Sequence, residues 1–399
     1  MENLVPLGTG NSRFMKSNIS PSTTLAQLIQ MLNNGTFPYD VGTINPAGIS
    51  QQGTPLNKDT LLKDATAGLY GLGEDAVPDD VFNDIYSRLI MIAQDKARLI
   101  VTVKDASGAP IPNTLISGLQ DESGSSGVLT NENGVAIGYA DEGTANISVS
   151  GFADLVDKTV NQAVQKGITY NIDLSGIETR NFLKITSSGN YKFSGRITRV
   201  DVTVVGGGGG GSGCSPSVGG SGGGGGDCVV QNDVSFLPNT SYQAVIGSGG
   251  AAGQEGIRTE DSERYGGNGG SSSFLNISAN GGSGGQNAGG AGNGRGGSVS
   301  AYGSNPDGAD GSTYGFSSFT ETVRYGGGGG AGRNMSNRSG SGGSDYGADG
   351  GQSGGQRGNN ASANTGGGGG GGGYGGSDET SIGGAGGSGV IALRMHTAA

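Results

Sequence analysis

The sequence has no tryptophan, two cysteines and a single histidine among its 399 residues. Two cysteines, Cys214 and Cys228, are too few for the disulfide framework of a small secreted domain. His396 is close to the last residue, where we expect a frayed tail. Without that histidine, a Ser-His-Asp or Cys-His arrangement and a His-based metal site are not expected. The sequence therefore predicts no enzyme activity, no metal and no cofactor.

Charge and hydrophobic patterning exclude two further classes of protein. The 34 acidic residues outnumber the 23 basic ones, which gives a net charge of −11. Nucleic-acid binding needs clustered Lys and Arg, so we expect no nucleic-acid partner. No run approaches the ~20 apolar residues of a membrane span, and the start MENLVPLGTGNSRF lacks a signal-peptide core. We expect a protein made in the cytoplasm.

Glycine is the residue in excess, with 88 copies against 11 prolines, and most of them follow residue 200. Average usage is about 7%. Collagen is excluded because no strict Gly-X-Y period runs through the chain and proline is scarce. Hydrophobic residues make up only 32% of the sequence. A large apolar core therefore cannot hold the second half together.

The first 96 residues predict a small α-helical module. Ser/Thr caps, apolar residues at helical spacing and a closing glycine indicate short helices over 25–32 and 61–69. A stronger helix over 79–96 carries acidic residues at its start and basic ones at its end. It also has a two-heptad stripe, formed by Phe82, Ile85, Leu89 and Ile92. The stripe either packs on its own domain or joins several copies in a short coiled coil.

Residues 97–177 predict an antiparallel β-sandwich. Short β-branched runs such as 99–103 and 169–174 are separated by Asn-Gly, Ser-Gly and Glu-Gly turns. Lys104 and Asn171 fall on the predicted first and last strands, so an isopeptide bond between them can be considered. No acidic residue can be assigned to catalyse it, and we expect a simple spacer.

Residues 178–399 combine apolar strands with long glycine runs. A flexible linker would explain the glycines, but linkers do not usually contain recurrent Tyr, Phe and β-branched residues. The alternative is polyglycine II helices, packed side by side through backbone hydrogen bonds that only glycine permits. We expect such a block, with the intervening polar segments as loops at its ends. The uninterrupted runs are 206–211, 222–226, 326–330 and 366–373.

Aromatic and polar residues between the glycine runs predict a recognition surface. Tyr supplies rigid contact area and Asn adaptable hydrogen bonds. Tyr325 and Tyr374 abut long runs, and we expect them to cover the glycine edges instead. Cys214 and Cys228 flank one glycine-rich segment, and a disulfide between them could close that segment into a loop. The predicted receptor contacts are Arg258, Arg264, Tyr265, Tyr302, Asn305, Asp307, Tyr314, Phe316, Phe319, Arg333, Asn334 and Tyr346.

Three resemblances follow the same order along the chain. LGTGNSRFMKS, GTFPYDVGTINPAG and QQGTPLNKDTLLKDATAGLYGL resemble N-terminal modules of tail-fibre-like proteins from phages and prophages of Gram-positive bacteria. The run D-x-x-G-x-P-I-P with T-x-E-N-G resembles Ig-like domains of the carboxypeptidase-regulatory and collagen-adhesin B type. VTVVGGGGGG, TSYQAVIGSGG and GGAGGSGVIALR resemble the glycine-rich domain of phage tail fibres, and are similar in kind to phage adhesins with polyglycine helices.

These resemblances imply a multidomain fibrous protein. It would combine a small α-helical N-terminal attachment module, an Ig-like β-sandwich spacer and a C-terminal glycine-rich domain of short β-strands and packed polyglycine II helices. The implied function is a phage tail-fibre protein at the tail tip of the virion that binds a host cell-surface glycan or protein. The N-terminal module would bind baseplate or tail-tip proteins, and a homotrimer is favoured. The alternative is a structural fibre or baseplate decoration protein without receptor binding.

Overall fold

The computed structural model describes residues 95–215, 218–255, 262–286, 313–314, 323–332, 339–343, 346–352, 354–374 and 381–397, together with Ile85, Leu89 and Gly296. The chain divides into two compact units, Met1–Ile85 and Tyr86–Ala399. The strands described below all belong to the second unit. The predicted attachment module over 1–96 lies outside the described residues, apart from its last two residues and two isolated helical positions.

The fold class predicted from the sequence is wrong. The described chain is essentially all β, and no α-helical module is present in it. Beyond the isolated helical positions, its one helical element is a 3₁₀ turn at Ser262–Arg264. The physical reason is composition, because β-branched residues and glycine, both poor helix formers, dominate the chain after residue 96.

The first β unit is one sheet that nearly closes on itself, rather than the predicted two-layer sandwich. Its path runs β6-β5-β2-β4-β1-β7, with β3 paired to β2, and the end strands β6 and β7 also contact each other. β1 and β7 pair in parallel, which brings the last strand back to the first. We call this unit the barrel. Its strands are β1 (Ala97–Asp105), β2 (Leu115–Gln120), β3 (Ser126–Leu129), β4 (Val135–Ala140), β5 (Gly143–Val149), β6 (Lys158–Val164) and β7 (Thr169–Ile177).

Alternation along the strands fills the barrel interior. Leu99, Val101 and Val103 of β1 are fully buried, since every second residue of a strand points to the same side. Asn171 lies opposite Ile100 in the β1/β7 pair and is exposed, whereas Lys104 is four residues further along β1. The isopeptide partners considered from the sequence are therefore not brought together.

The second β unit is a four-stranded antiparallel sheet of order β11-β10-β17-β8, together with three two-stranded antiparallel pairs, β9/β12, β13/β14 and β15/β16. His396 lies on β17 opposite Arg199, so the expected frayed tail is wrong. The strands are β8 (Phe182–Ile185), β9 (Gly189–Lys192), β10 (Ile197–Val205), β11 (Cys228–Ser235), β12 (Ser241–Ala244), β13 (Ser272–Phe274), β14 (Ile277–Ala279), β15 (Thr313–Tyr314), β16 (Val323–Arg324) and β17 (Val390–Thr397).

One face of this sheet carries the second apolar core. Val200, Val202 and Val204 of β10 pack with Leu393 of β17 and with the aromatic ring of Phe193. Phe193 also lies 5.2 Å from Phe236, centroid to centroid. This core is compact, and it ends where β10 passes into glycine.

Three neighbouring strands continue directly into three neighbouring glycine segments. β10 leads into residues 206–214, which we call the central run, while β11 follows 221–226 and β17 follows 381–389. The amide of Gly209 donates to the carbonyl of Gly224, and that of Gly211 donates to Gly384. The order of the strands in the sheet is therefore kept in the glycine segments.

The amides of the central run donate hydrogen bonds to three neighbouring segments in turn, with a period of three residues. Those at 207, 210 and 213 donate to segment 264–270, those at 208, 211 and 214 to segment 381–387, and those at 209 and 212 to segment 221–224. A backbone that repeats its partner every third residue has three residues per turn.

The carbonyls of the central run accept hydrogen bonds from three further segments with the same period of three residues. These segments are 282–285, 250–253 and 369–372. Six segments thus surround the central run, and each is hydrogen-bonded to the next around the ring. A Cβ added at Gly208 would lie 2.0 Å from the carbonyl oxygen of Gly367, so only glycine fits there. We call the central run, its six neighbours and the segments bonded outside them the glycine stack.

Candidate functional site

The glycine stack has two chemically different ends. The barrel contacts the residues just before β10, so it lies at the end of β10 remote from the central run. Gly195 donates its amide to the Thr114 hydroxyl at 3.2 Å, and Asn239 donates to the Asn113 carbonyl at 2.8 Å. Both bonds join the barrel to the glycine-rich part, and they mark the barrel side of the sheet.

The opposite end, which we call the loop end, lies where the central run finishes. Cys214 donates its amide to Ser381 at 2.8 Å, Gly220 donates to Gly372 at 2.7 Å, and Gln254 donates to Glu263 at 2.9 Å. Nine residues at about 3.1 Å each place this end about 28 Å from the sheet. The described residues on either side of the chain connections 214–220, 254–263 and 373–381 therefore lie at the end of the stack remote from the barrel.

Most of the predicted receptor contacts cannot be placed. Tyr314 lies on β15, where its backbone pairs with Val323. Arg264, Tyr265 and Tyr346 have described surroundings. The predicted contacts outside the described residues are Arg258, Tyr302, Asn305, Asp307, Phe316, Phe319, Arg333 and Asn334.

Arg264 is not a surface residue, which corrects its assignment as a receptor contact. Its side chain is 1% exposed and is among the largest fully buried ones. Its carbonyl accepts the amide of Gly213 at 2.8 Å, so the residue is part of the stack. Nothing in the local sequence indicated this burial.

Tyr346 lies away from the loop end, among the residues that cover the start of the stack. Its ring stacks on that of Tyr325, with centroids 6.0 Å apart and planes 16° from parallel. Tyr325 is itself buried against Val205 and Val390. Burial, with smaller contributions from Tyr346 and Cys228, raises the pKa of Tyr325 to about 12. This pair covers the glycine edge rather than forming a recognition surface.

Tyr265 is the predicted contact that the structure places half-exposed near the loop end. The next residue, Gly266, donates its amide to Gly285 at 3.0 Å, which sets Tyr265 level with Gln286 on the adjoining segment. Gln254 lies on the segment at the other side, bonded to Glu263. Gln254 and Gln286 are both exposed. Tyr265 therefore lies on a segment whose two neighbours carry Gln254 and Gln286.

The two glutamines were missed from the sequence, although a signal was present. Segments at the rim of the stack follow a Gly-Gly-X rhythm, as in Tyr265-GG-Asn268-GG-Ser271 and Asn280-GG-Ser283-GG-Gln286. With three residues per turn, every X points the same way and both glycines point inward. The uninterrupted runs belong inside the stack, and the Gly-Gly-X segments belong at its rim.

The two cysteines are free thiols and do not form the disulfide considered from the sequence. Cys228 lies opposite Val205, where the central run begins, and Cys214 lies at its far end. A disulfide needs Cα atoms within about 7 Å, and the run between them is far longer. Burial, followed by the charge of Asp227, raises the pKa of Cys228 to about 12. The Cys214 sulfur accepts the amide of Ser381 at 2.9 Å.

A buried carboxylate organises the charges of the four-stranded sheet. Asp201 accepts from Arg394 Nε at 2.7 Å and lies 3.0 Å from Nε2 of His396. Its other oxygen accepts the backbone amide of Asp233 at 2.8 Å. Burial raises the pKa of Asp201, but the bonds from Asp233, His396 and Arg394 outweigh it and hold the pKa below its usual value. This cluster stabilises the sheet. Among the described residues, no group of three or more His, Cys, Asp or Glu side chains could hold a metal ion.

Comparison with known families assigns the glycine-rich part. The family described as a glycine-rich domain matches residues 185–396, more than half of the chain. The chain belongs to the glycine-rich domain family. The match begins at the last residue of β8 and ends on β17, so this domain comprises the sheet and the stack but not the barrel. No curated protein matches the chain. Within the described residues, no helix has the length and apolar character needed to cross a membrane.

Proposed function

We propose that this chain is a phage tail-fibre protein that binds a host cell-surface receptor, a glycan, through the loop end of its glycine-rich domain. The observation that carries the proposal is that the barrel contacts lie at one end of the stack, while the described residues flanking the loops lie at the other. A fibre tip needs this polarity, because one end must connect to the particle while the other meets the cell.

The stack suits this role because it is rigid and lacks an apolar core. Each turn of the central run is held by backbone hydrogen bonds to six neighbours. Loops anchored on such a support lose little conformational freedom when they bind, and this freedom is one of the main costs of association. Loop sequences can also vary without altering the packed glycines beneath them.

The proposal also covers the binding partners, the oligomeric state and the location of the protein. The N-terminal module would bind baseplate or tail-tip proteins, the chain would assemble as a homotrimer, and the protein would be part of the virion. A net charge of −11 disfavours a nucleic-acid ligand. We propose binding without catalysis, and without a metal or cofactor.

Binding to host cells tests the proposal. Purified full-length chain should bind host cells and compete with phage infection. Exchange of residues 254–265 and 301–325 between related proteins should change which host strains are bound. A chain that binds no host cells, while its incorporation into particles is intact, would instead be a structural fibre or baseplate decoration protein. Release of sugar from host envelopes would indicate an enzyme and would contradict the proposal.

A further inference from the structure

The rim of the glycine stack is the place where the regular backbone hydrogen bonding of its interior stops. Inside, the central run is bonded to six neighbouring segments. At the rim, an outward amide can bond to a further glycine segment, just as the free edge of a β-sheet can pair with a further strand. Glycine carries no side chain that would reject such a partner. The rim therefore has to be closed if the number of segments in the stack is to be fixed.

Three side chains at the rim each accept a backbone amide of the adjoining segment. All three residues are exposed, so the rim faces solvent at these places. The bonds are Asn268 Oδ1 with the Gly284 amide at 2.9 Å, Asp349 Oδ1 with the Gly342 amide at 2.6 Å, and Asn360 Oδ1 with the Ala385 amide at 2.8 Å. We call these three side chains the rim caps.

The same local arrangement recurs at all three rim caps. The residue that follows each cap donates its own amide to the segment whose amide the cap accepts. These backbone bonds run from Gly269 to Gly282, from Gly350 to Gly340 and from Ala361 to Ala385, each at 2.9 Å. Because the arrangement occurs on three separate segments, it indicates a common role.

We propose that the rim caps close the stack against a glycine segment from a second copy of this chain. The carbonyl oxygen of an added segment would have to lie where the cap oxygen already lies, about 2.9 Å from the amide nitrogen. The short side chain of the cap thus takes the place of that segment. The copies of the proposed homotrimer would then be joined through other surfaces. The inference does not depend on receptor binding.

Two of the rim caps lie part-way along the stack and not at the loop end. Gly285, which follows the capped Gly284, donates its amide to Gly210 at 2.7 Å. Gly384, which precedes the capped Ala385, accepts the amide of Gly211 at 2.8 Å. Their level is therefore that of the middle of the central run, and removing these caps leaves the loop end in place.

Sedimentation velocity of the full chain tests the closure. Asn268→Gly/Asn360→Gly removes two rim caps, and we expect it to form species larger than the wild type in a proportion that rises with concentration. In dilute protein, the amides of Gly284 and Ala385 should exchange about five times faster than in the wild type, since each has lost one hydrogen bond. Their exchange should slow again at high concentration, because a second copy then supplies the acceptor.

A matched control adds glycine without removing a rim cap. Ala251→Gly/Ser271→Gly changes two exposed rim residues and should sediment as the wild type does. If both double variants associate alike, added glycine is the cause and the proposal fails. Wild-type amide exchange across 206–214 shows that the uncapped variant is folded. If it is not folded, Asn268→Ala/Asn360→Ala takes its place, because alanine adds less backbone freedom than glycine.

Asp349 separates the acceptor oxygen from its charge. Asp349→Gly removes both and should promote association, whereas Asp349→Asn keeps the oxygen and should sediment as the wild type does. Equal association of these two variants would show that charge repulsion keeps the copies apart, and the proposal would be wrong. An uncapped variant that sediments like the wild type at every concentration would also overturn it.

Discussion

The carboxylate of Asp154 and the guanidinium of Arg196 face each other at 3.6 Å, and both side chains are shielded from solvent. Asp154 belongs to the barrel, whereas Arg196 directly precedes β10. Ser194 donates to the same carboxylate through its amide at 2.8 Å and its hydroxyl at 2.6 Å. Arg196 also donates to the carbonyl of Arg180 at 2.9 Å. The barrel is therefore joined to the glycine-rich domain by a buried ion pair and its hydrogen bonds, not by a free linker.

Removing one partner of this pair should destabilise the chain strongly. Asp154→Ala leaves the buried Arg196 charge without its carboxylate, and such a loss costs about 3–5 kcal/mol. Urea unfolding of the full chain, followed by fluorescence of its tyrosines, measures the change. Asp157→Ala is the control, because Asp157 is exposed and accepts the Gly151 amide at 2.9 Å. Equal effects of the two substitutions would show that the buried pair does not join the two parts.

A single methyl group inside the stack should be more damaging than the loss of a polar side chain at its rim. In Gly210→Ala the new Cβ would lie 1.9 Å from the carbonyl oxygen of Ala251, so backbone must move. Overpacking of this kind costs about 3 kcal/mol. Ser271→Ala, at an exposed X position, should cost less than about 0.5 kcal/mol.

Thermal unfolding and amide exchange across 206–214 provide the measurements for these two variants. Gly210→Ala should lower the melting temperature and speed exchange in the central run, while Ser271→Ala should do neither. Wild-type amides in this run that exchange as fast as those of an unstructured peptide would contradict the packed arrangement.

Acid should weaken the four-stranded sheet through Asp201. Its folded pKa lies below the usual value of 3.8. A depressed pKa contributes stability above the unfolded value, and this contribution is lost as the pH falls through the folded pKa. Unfolding free energy measured between pH 7 and pH 2 should therefore fall more steeply below about pH 4 for the wild type than for Asp201→Asn. Parallel curves for the two proteins would contradict this role.

The thiols should be unreactive in the native protein and unpaired. Cys214 and Cys228 are both buried, and the raised pKa of Cys228 leaves little thiolate at neutral pH. Iodoacetamide at pH 8 should label neither cysteine before unfolding and both after it, as read by intact mass. A protein that takes up no label even when unfolded without reductant would contain the disulfide that the structure lacks.

The spacing of the glycines along the sequence carries more structural information than their number alone. Long runs such as 206–211 indicated close backbone packing, since no other residue permits it. The shorter Gly-Gly-X stretches were not assigned to the block from the sequence, yet 265–271 and 280–286 are rim segments of the stack. Their period of three is visible in the sequence, and counting it would have placed Asn268 and Ser283 on an outward row.

Elsewhere the sequence lacked the necessary signal. The strands of residues 97–177 follow from their alternation and turns, but the parallel pairing of β1 with β7 depends on contacts between distant residues. The burial of Arg264 and the place of His396 on β17 likewise depend on neighbours far away in the chain. The pattern of neighbouring residues in the sequence does not indicate which distant residues will be in contact in the fold.

What the order of residues settles here is local: where strands form, where no Cβ can be tolerated, and that the charge is acidic. Which segments become neighbours is a property of the folded chain, because identical glycines offer no side chains by which one run could choose another. That choice is made by the sheet, since β11, β10 and β17 enter the stack side by side and align the segments continuous with them. The position of Tyr265 on a segment whose two neighbours carry Gln254 and Gln286 follows from that alignment and from nothing in its own vicinity in the sequence.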